Sequence, residues 1–155
     1  DMYENIVSDF RFSSLTIQNS IASTVGRVPL KIYQETGADY RYKNVVPLMR
    51  VPEMYYIAAE CCVTGPEPDK GKALELLNTV REHRGIYTPL ENLSEEEVIA
   101  EINKEYRKEF LCEGAMFYHY KRVGTQYLPG SDLEMTDKQY VIPFPDFEKD
   151  SGRIQ

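Results

Sequence analysis

The pattern of apolar residues is most regular over residues 51–124, where it predicts four helices. The first spans about 52–65 and is expected to bury one stripe of side chains along its length. Pro52 suits its first turn, and Gly65 suits its C-terminal end. The residues of the expected buried stripe are Met54, Ile57, Ala58 and Cys61.

The second predicted helix follows a short turn, "GPEPD", and repeats the same pattern up to Gly85. Its predicted buried face consists of Ala73, Leu77 and Val80, with Leu74 and Leu76 on either side. A tight turn between two helices predicts an antiparallel helical hairpin, and its alanines favour the close approach seen in tetratricopeptide-like pairs. No second copy follows at the 34-residue spacing of that repeat, so the sequence does not predict a repeat array.

The third helix has the strongest local signal, because Ser94 and Glu97 form a capping box at its start. Its predicted buried face is Ile99, Ile102, Tyr106 and Phe110. Gly114 interrupts the pattern, and "AMFYHYKRVG" then predicts a short amphipathic helix that ends at Gly124.

The two ends of the chain predict less regular structure. Within residues 1–50, "RVPLKIYQE" alternates as a short strand, with Val28, Leu30 and Ile32 on one side, and residues 36–44 read as a loop. Near the other end, "YVIPFP" is extended and contains two prolines. The prediction is one mainly α domain over residues 1–155: a loop and short-strand lead-in (1–50), a helical core with a tetratricopeptide-like hairpin (51–124) and a turn-rich tail (125–155).

Charge narrows the classes of partner. The 155-residue chain has a net charge of −7 and a pI near 4.9. Nucleic acids and anionic membranes require clustered basic residues, so neither is an expected partner. No apolar run approaches the length of a membrane span. Twelve tyrosines and no tryptophan form an unusual aromatic set, which suits sugar-binding or interface surfaces as well as the margins of a core.

The three cysteines, Cys61, Cys62 and Cys112, match no zinc-binding spacing. Because they lie in apolar runs, they are expected to be buried free thiols. A bridge from Cys61 or Cys62 to Cys112 remains open in an oxidising compartment.

A ladder of four glutamates, Glu101, Glu105, Glu109 and Glu113, precedes His119. A metal site, an acid/base pair and a solvated helix face all fit this spacing. A di-metal bundle site needs Glu-x-x-His pairs on facing helices, and glycoside hydrolysis needs two carboxylates across a cleft. The sequence has neither pattern, so no metal site is predicted. The nearby bases Lys104, Arg107 and Lys108 favour salt bridges along a solvated flank.

Catalytic signatures are absent from the sequence. Neither His83 nor His119 lies in a nucleophile motif, and no phosphate-binding or dinucleotide-binding glycine pattern occurs. The residues alone therefore predict a helical binding or scaffold domain with no enzymatic activity and no cofactor. A hydrolase that uses the glutamate ladder is the catalytic alternative.

Four stretches, in the same order, resemble the C-terminal part of the SusD/RagB family, the outer-membrane nutrient-binding lipoproteins of Bacteroidetes. They are "PLMRVPEMYYIAAEC", "ALELLNTVREHRG", the glutamate-ladder segment and "YVIPFPDFE". The matching polar and glycine positions are Arg50, Glu53, Glu60, Asn78, Arg81, Arg84, Glu105, Arg107, Glu109, Glu113, Gly114 and Arg122. These motif residues are expected to form a partly buried ion network between helices.

The sequence departs from the family pattern at Ala115 and Met116, and at His119 and Tyr120. Family members are longer, so the resemblance implies that the chain corresponds to their C-terminal portion. The signal peptide and the lipid-anchored cysteine are then expected only in the longer parent protein.

The resemblance implies capture of oligosaccharides at the cell surface and their delivery to a SusC-like, TonB-dependent outer-membrane transporter. It carries over no sugar-binding residue. Loop position and aromatic character suggest Tyr40, Tyr42, Tyr87 and Tyr127 as sugar contacts, although the ordinary burial of tyrosine favours packing for each. The alternative function is a helical protein–protein interaction module that docks through residues 52–85.

Overall fold

The computed structural model describes residues 3–4, 6–21, 24–30, 48–150 and 152. Contacts divide the chain into two compact units, Asp1–Glu113 and Gly114–Gln155, which we call the N-terminal and C-terminal units. The fold is mainly α, as predicted. Its elements, in chain order, are α1 (Phe10–Leu15), β1 (Thr16–Ile21), β2 (Thr24–Pro29), α2 (Val51–Thr64), α3 (Lys70–Glu82), α4 (Glu95–Glu109), α5 (Ala115–Val123), α6 (Asp137–Tyr140) and α7 (Asp146–Asp150).

The lead-in contains a short helix, α1, that the sequence pattern did not predict. Asp9 caps it, because its carboxylate accepts a hydrogen bond from the Arg11 backbone N–H. An antiparallel hairpin follows, in which Thr16 pairs with Pro29 and Ile21 pairs with Thr24. The predicted strand overlaps β2 at residues 27–29, and its residues 31–35 lie outside the described part of the chain.

Helices α2 and α3 form the predicted hairpin, but α2 buries a different face from the one expected. Its buried residues are Tyr56, Ala59 and Val63. In the predicted stripe, Met54 and Ile57 are 48% and 45% exposed, Cys61 is exposed and Ala58 is half-buried. Because α2 is apolar around most of its circumference, periodicity alone could not identify the face that meets α3 and α4.

The predictions for α3 and α4 are confirmed at most positions. Ala73, Leu77 and Val80 are buried on α3, and the Ser94 and Glu97 capping box is present at the start of α4. The buried face of α4 includes Ile102, Tyr106 and Phe110, as expected, but Val98 is buried where Ile99 is only half-buried.

An aromatic cluster joins α2 to α4. The rings of Tyr106 and Phe110 have centroids 4.4 Å apart, and Tyr56 packs 5.8 Å from Tyr106. The guanidinium of Arg50 lies 4.6 Å from the centroid of the Phe110 ring. This cluster fixes the face of α4 from which its glutamates project.

Gly85 follows α3 and lies against the backbone of the lead-in, and replacing it with alanine is expected to be strongly destabilising. Its φ is +84°, and an added Cβ would lie 2.2 Å from the Ser8 carbonyl oxygen. The left-handed conformation alone costs an ordinary residue about 1–3 kcal/mol, and the clash with backbone adds to it. Thermal denaturation of Gly85→Ala tests this. Gly114→Ala, also at positive φ but with no atom near its added Cβ, is the control with the smaller expected loss.

The first helix of the C-terminal unit is α5, and Gly124 caps its end, as predicted. Tyr127 and Glu134 form an isolated antiparallel bridge, and a Thr136–Gln139 capping box starts α6. The Tyr140 hydroxyl donates to the Thr125 carbonyl at 2.7 Å. In "YVIPFP", Tyr140 ends α6 and Val141 is extended, while residues 142–145 have no regular secondary structure, so the extended segment stays a prediction beyond Val141. The division of the chain into regions 1–50, 51–124 and 125–155 stays a prediction.

Candidate functional site

Glu109 is the centre of a buried charge network in the N-terminal unit. Its side chain is 1% exposed and accepts two hydrogen bonds from Arg84, each at 2.9 Å, and one from Arg50 at 2.6 Å. Arg11 makes a longer contact at 3.4 Å. Burial alone would raise the pKa of Glu109, but the hydrogen bonds and charges of Arg84 and Arg50 outweigh it and lower the pKa to about 2.

Glu105 lies one turn earlier on α4 and is fully buried. It accepts hydrogen bonds from Arg11 at 2.8 Å, Arg81 at 3.0 Å and Lys108 at 3.1 Å. Arg11 connects the two halves of the network, since it also donates to both carboxylate oxygens of Asp9, at 2.9 and 2.7 Å. Burial would lower the pKa of Arg11, but its carboxylate partners, Asp9 foremost, raise it above its ordinary value.

The two outer glutamates of the ladder also have basic partners. Glu101 pairs with Lys104, and Glu113 accepts hydrogen bonds from Arg50 at 3.0 and 2.9 Å. The predicted ion network is therefore confirmed for these residues. The predicted solvated flank is wrong for Glu105 and Glu109, because they face the interior and arginines from three other segments of the chain surround them.

This network leaves its carboxylates poorly suited to chemistry. A general acid or base needs a proton to exchange and access to substrate, whereas Glu105 and Glu109 are buried and held by guanidinium groups. Among the described residues, no group of three or more His, Cys, Asp or Glu side chains could hold a metal ion. The arrangement instead joins α1, α2, α3 and α4 through one set of charges.

Several other motif residues contact neighbouring elements. Glu53 accepts a hydrogen bond from the Tyr106 hydroxyl at 2.6 Å. Asn78 forms a pair of hydrogen bonds with the backbone of Leu90, at 3.1 and 2.8 Å, which attaches the loop after α3 to that helix. Glu60 and Arg107 are half-buried on α2 and α4.

In the C-terminal unit, Gly114 precedes α5 with a φ of +78°. Arg122, which is exposed, lies 3.5 Å from the Nδ1 atom of the buried His119. The other histidine, His83, belongs to the N-terminal unit, where its Nδ1 atom lies 2.8 Å from the Thr79 carbonyl oxygen.

The tyrosines suggested as sugar contacts differ in what the structure shows. Tyr87 and Tyr127 are 75% and 58% exposed, so the expectation that they pack is wrong for these two. Tyr40 and Tyr42 lie outside the described residues. A role in sugar binding stays a prediction for all four.

The cysteines correct another expectation. Cys61 and Cys112 are exposed and Cys62 is half-buried, and all three are free thiols. The predicted burial is therefore wrong, and neither bridge to Cys112 is formed. Along the described stretches of the chain, no helix has the length and apolar character needed to cross a membrane.

Sequence reasoning did not identify three members of the network: Asp9, Arg11 and Lys108 in its buried role. Lys108 was expected on a solvated flank, but its side chain is fully buried, and it contacts both Glu105 and Glu4. Arg11 gave one usable signal: it is a charged residue between two phenylalanines in "DFRF". Its partners on α4 are 94 and 98 residues away, so no local pattern indicates them.

Comparison with known proteins supports the resemblance seen in the four motifs. Searches of curated proteins and of solved structures gave no significant match. A sequence model of the SusD family (SusD/RagB) matches residues 12–151. This match includes all four motif stretches and covers most of the chain, and therefore the chain belongs to the SusD family.

Proposed function

We propose that this chain takes part in the non-catalytic capture of oligosaccharides at the cell surface. The captured glycan would pass to a SusC-like, TonB-dependent transporter in the outer membrane. A lipid anchor would hold the parent protein at that membrane. Membership of the SusD family, a nutrient- and glycan-binding family, is the observation that carries the proposal.

The charge network supports a binding role over a catalytic one. The hydrolase alternative requires Glu105 and Glu109 to act on substrate, yet each accepts hydrogen bonds from at least two basic side chains. Replacing either glutamate should therefore change stability, whereas a catalytic role requires a loss of turnover with stability retained.

Exposed tyrosine rings provide a surface suited to sugars. A pyranose ring presents a face of C–H groups that stacks on an aromatic face, while its hydroxyls bond to polar groups at the edge. Tyr87 and Tyr127 are exposed enough to offer such faces. Each lies in a separate unit of the chain, so each is tested by itself.

We expect Tyr87→Ala or Tyr127→Ala to weaken oligosaccharide binding by about threefold to tenfold, the scale of one lost aromatic contact. Calorimetry of the full 155-residue chain against a panel of plant and host glycans would measure this. Tyr118→Ala is the matched control, because Tyr118 is 67% exposed and was not suggested as a contact.

A chain that binds no glycan in the panel would count against the proposal. A Tyr118 control that loses as much affinity as the test variants would count against Tyr87 and Tyr127 as sugar contacts.

The transporter step has its own readout: the intact parent protein is expected to co-purify with a β-barrel transporter from outer-membrane extracts. Purification without any such barrel would contradict that step alone.

A second candidate function is protein–protein docking through the α2–α3 hairpin. The observation that favours it is the outer side of α2, where Val51, Met54 and Ile57 are 69%, 48% and 45% exposed. Such a row of apolar side chains at helical spacing suits contact with another helix. A stable complex with a protein other than an outer-membrane barrel, lost on Ile57→Asp, would support this candidate.

A further inference from the structure

An open pocket of about 230 Å³ lies where the start of α2 meets the end of α3. Three of the residues that line it are apolar: Val51 and Pro52 from α2, and Val80 from α3. Sites for drug-sized ligands are usually about 300–1,000 Å³. This pocket is smaller, so its volume suits a single ring-sized group.

Four polar side chains complete the lining: Tyr55, Thr79, His83 and Arg84. The Thr79 carbonyl oxygen can only accept a hydrogen bond, and it lies 2.8 Å from the His83 Nδ1 atom. Nδ1 must therefore carry the proton, which leaves Nε2 of the neutral ring as an acceptor. The Thr79 hydroxyl donates to the Glu75 carbonyl at 2.8 Å and retains lone pairs of its own.

Arg84 supplies a hydrogen-bond donor to the pocket, and Glu109 offsets part of its positive charge. Its Nε and Nη2 atoms bind Glu109, and its Nη1 atom donates to the His83 carbonyl at 3.2 Å. Because Nη1 carries two hydrogens, one remains for a ligand. The Glu109 carboxylate offsets part of the guanidinium charge, so the pocket does not require an anionic ligand.

The lining combines three apolar side chains with four polar ones, so it favours a ligand that has both an apolar face and hydrogen-bonding groups. A purely apolar group, such as a leucine side chain from a partner protein, would remove water from these polar side chains without replacing its hydrogen bonds. A neutral polyhydroxylated ring suits both parts of the lining, because its C–H face matches the apolar Val51, Pro52 and Val80 and its hydroxyls match polar groups such as His83 and Thr79.

We therefore propose that this pocket binds one neutral pyranose unit of a captured glycan. The proposal rests on the proposed function and deepens it by naming a sugar subsite on the α2–α3 hairpin. A ligand of about a dozen non-hydrogen atoms held by one open pocket has an expected Kd on the order of 1 mM.

The test is a titration of the isotope-labelled full chain with methyl glycosides of glucose, galactose, mannose, xylose and N-acetylglucosamine, followed by NMR. We expect at least one glycoside to shift the backbone amide signals of residues 79–84. Two variants should raise the Kd at least fivefold: Val51→Trp, which fills the pocket, and His83→Phe, which keeps a ring but removes its nitrogens. Glu82→Trp is the control, because Glu82 is exposed on α3 and does not line the pocket.

The outcomes separate this inference from the proposed function. Glycan binding that Val51→Trp and His83→Phe leave unchanged would overturn the subsite and leave the proposed function standing. A chain that binds neither methyl glycosides nor oligosaccharides would overturn both. Shifts at residues 79–84 produced by indole but by none of the glycosides would show an apolar site and overturn the subsite.

Discussion

Replacing Arg11 with methionine is expected to destabilise the N-terminal unit by about 3–5 kcal/mol, the usual cost of removing one partner from a buried ion pair. The Arg11 side chain is fully buried and contacts the carboxylates of Asp9, Glu105 and Glu109. Methionine occupies much of the same volume, so the change removes the charge and leaves only a small cavity. Asp9 and Glu109 would each lose a cationic partner, and Glu105 would keep only Arg81 and Lys108.

Thermal denaturation followed by circular dichroism would measure this loss, which corresponds to a fall in Tm on the order of 10 °C. Lys72→Met is the matched control, because it removes an ion pair whose side chains are 49% and 65% exposed. Exposed pairs contribute about 0–1 kcal/mol, so the control should change Tm by only a few degrees. Equal losses in the two variants would show that the burial of Arg11 has no energetic consequence.

A double variant distinguishes an electrostatic effect from a packing effect. Glu105→Gln added to Arg11→Met removes one of the carboxylates that Arg11 neutralises. If the network acts through charge, the double variant should lose less stability than the two single losses added together. Additive losses would indicate that Arg11 acts only by filling space.

The sequence predicted the helical hairpin and α4 well, because their signals are local. A capping box, a proline in a first turn and a glycine after a last turn each specify an end of a helix through nearby atoms. The apolar part of each buried face was also predictable, because Ala73, Leu77 and Val80 on α3, and Ile102 and Tyr106 on α4, recur at helical spacing.

The buried face of α2 was not predictable, because few charged residues mark its solvent side. Its sequence, "VPEMYYIAAECCVT", has only two charged residues, so apolar positions occur in every direction around the helix. Tyr56 is buried because it packs against Tyr106 and Phe110 of α4, a contact that depends on tertiary structure. Met54 and Ile57 are more apolar than tyrosine, yet they are 48% and 45% exposed.

The burial of Glu105 and Glu109 also could not be predicted from local sequence. From α4 alone, Glu105 and Glu109 resemble a solvated row with lysines and arginines nearby. The arginines that bind them come from α1, the start of α2 and the end of α3, and no pattern within α4 indicates these contacts. Only the resemblance to the family, which places Arg50, Arg81 and Arg84 in the same motifs, indicated an interhelical network.

Glu109→Gln is expected to cost about 3 kcal/mol of stability at neutral pH. A carboxyl whose pKa falls from 4.5 to about 2 on folding contributes that much to the free energy of unfolding. Glutamine keeps the size of the side chain and one oxygen acceptor but loses the negative charge that Arg84 and Arg50 share. Glu75→Gln, in the exposed pair with Lys72, is the control and should cost less than about 1 kcal/mol.

The pH dependence of these variants provides the sharper test. Because the pKa of Glu109 is lower in the folded state, its contribution is complete above pH 4.5 and is lost as the pH falls towards 2. In urea denaturation, the stability difference between the natural chain and Glu109→Gln should therefore shrink steadily between pH 4.5 and pH 2. Hydrogen bonds from Lys104 and Lys108 outweigh burial and also lower the pKa of Glu4 to about 2. Because Glu4 titrates in both proteins, its contribution cancels in the stability difference. A difference that stays constant across this range would show that the charge of Glu109 does not stabilise the fold.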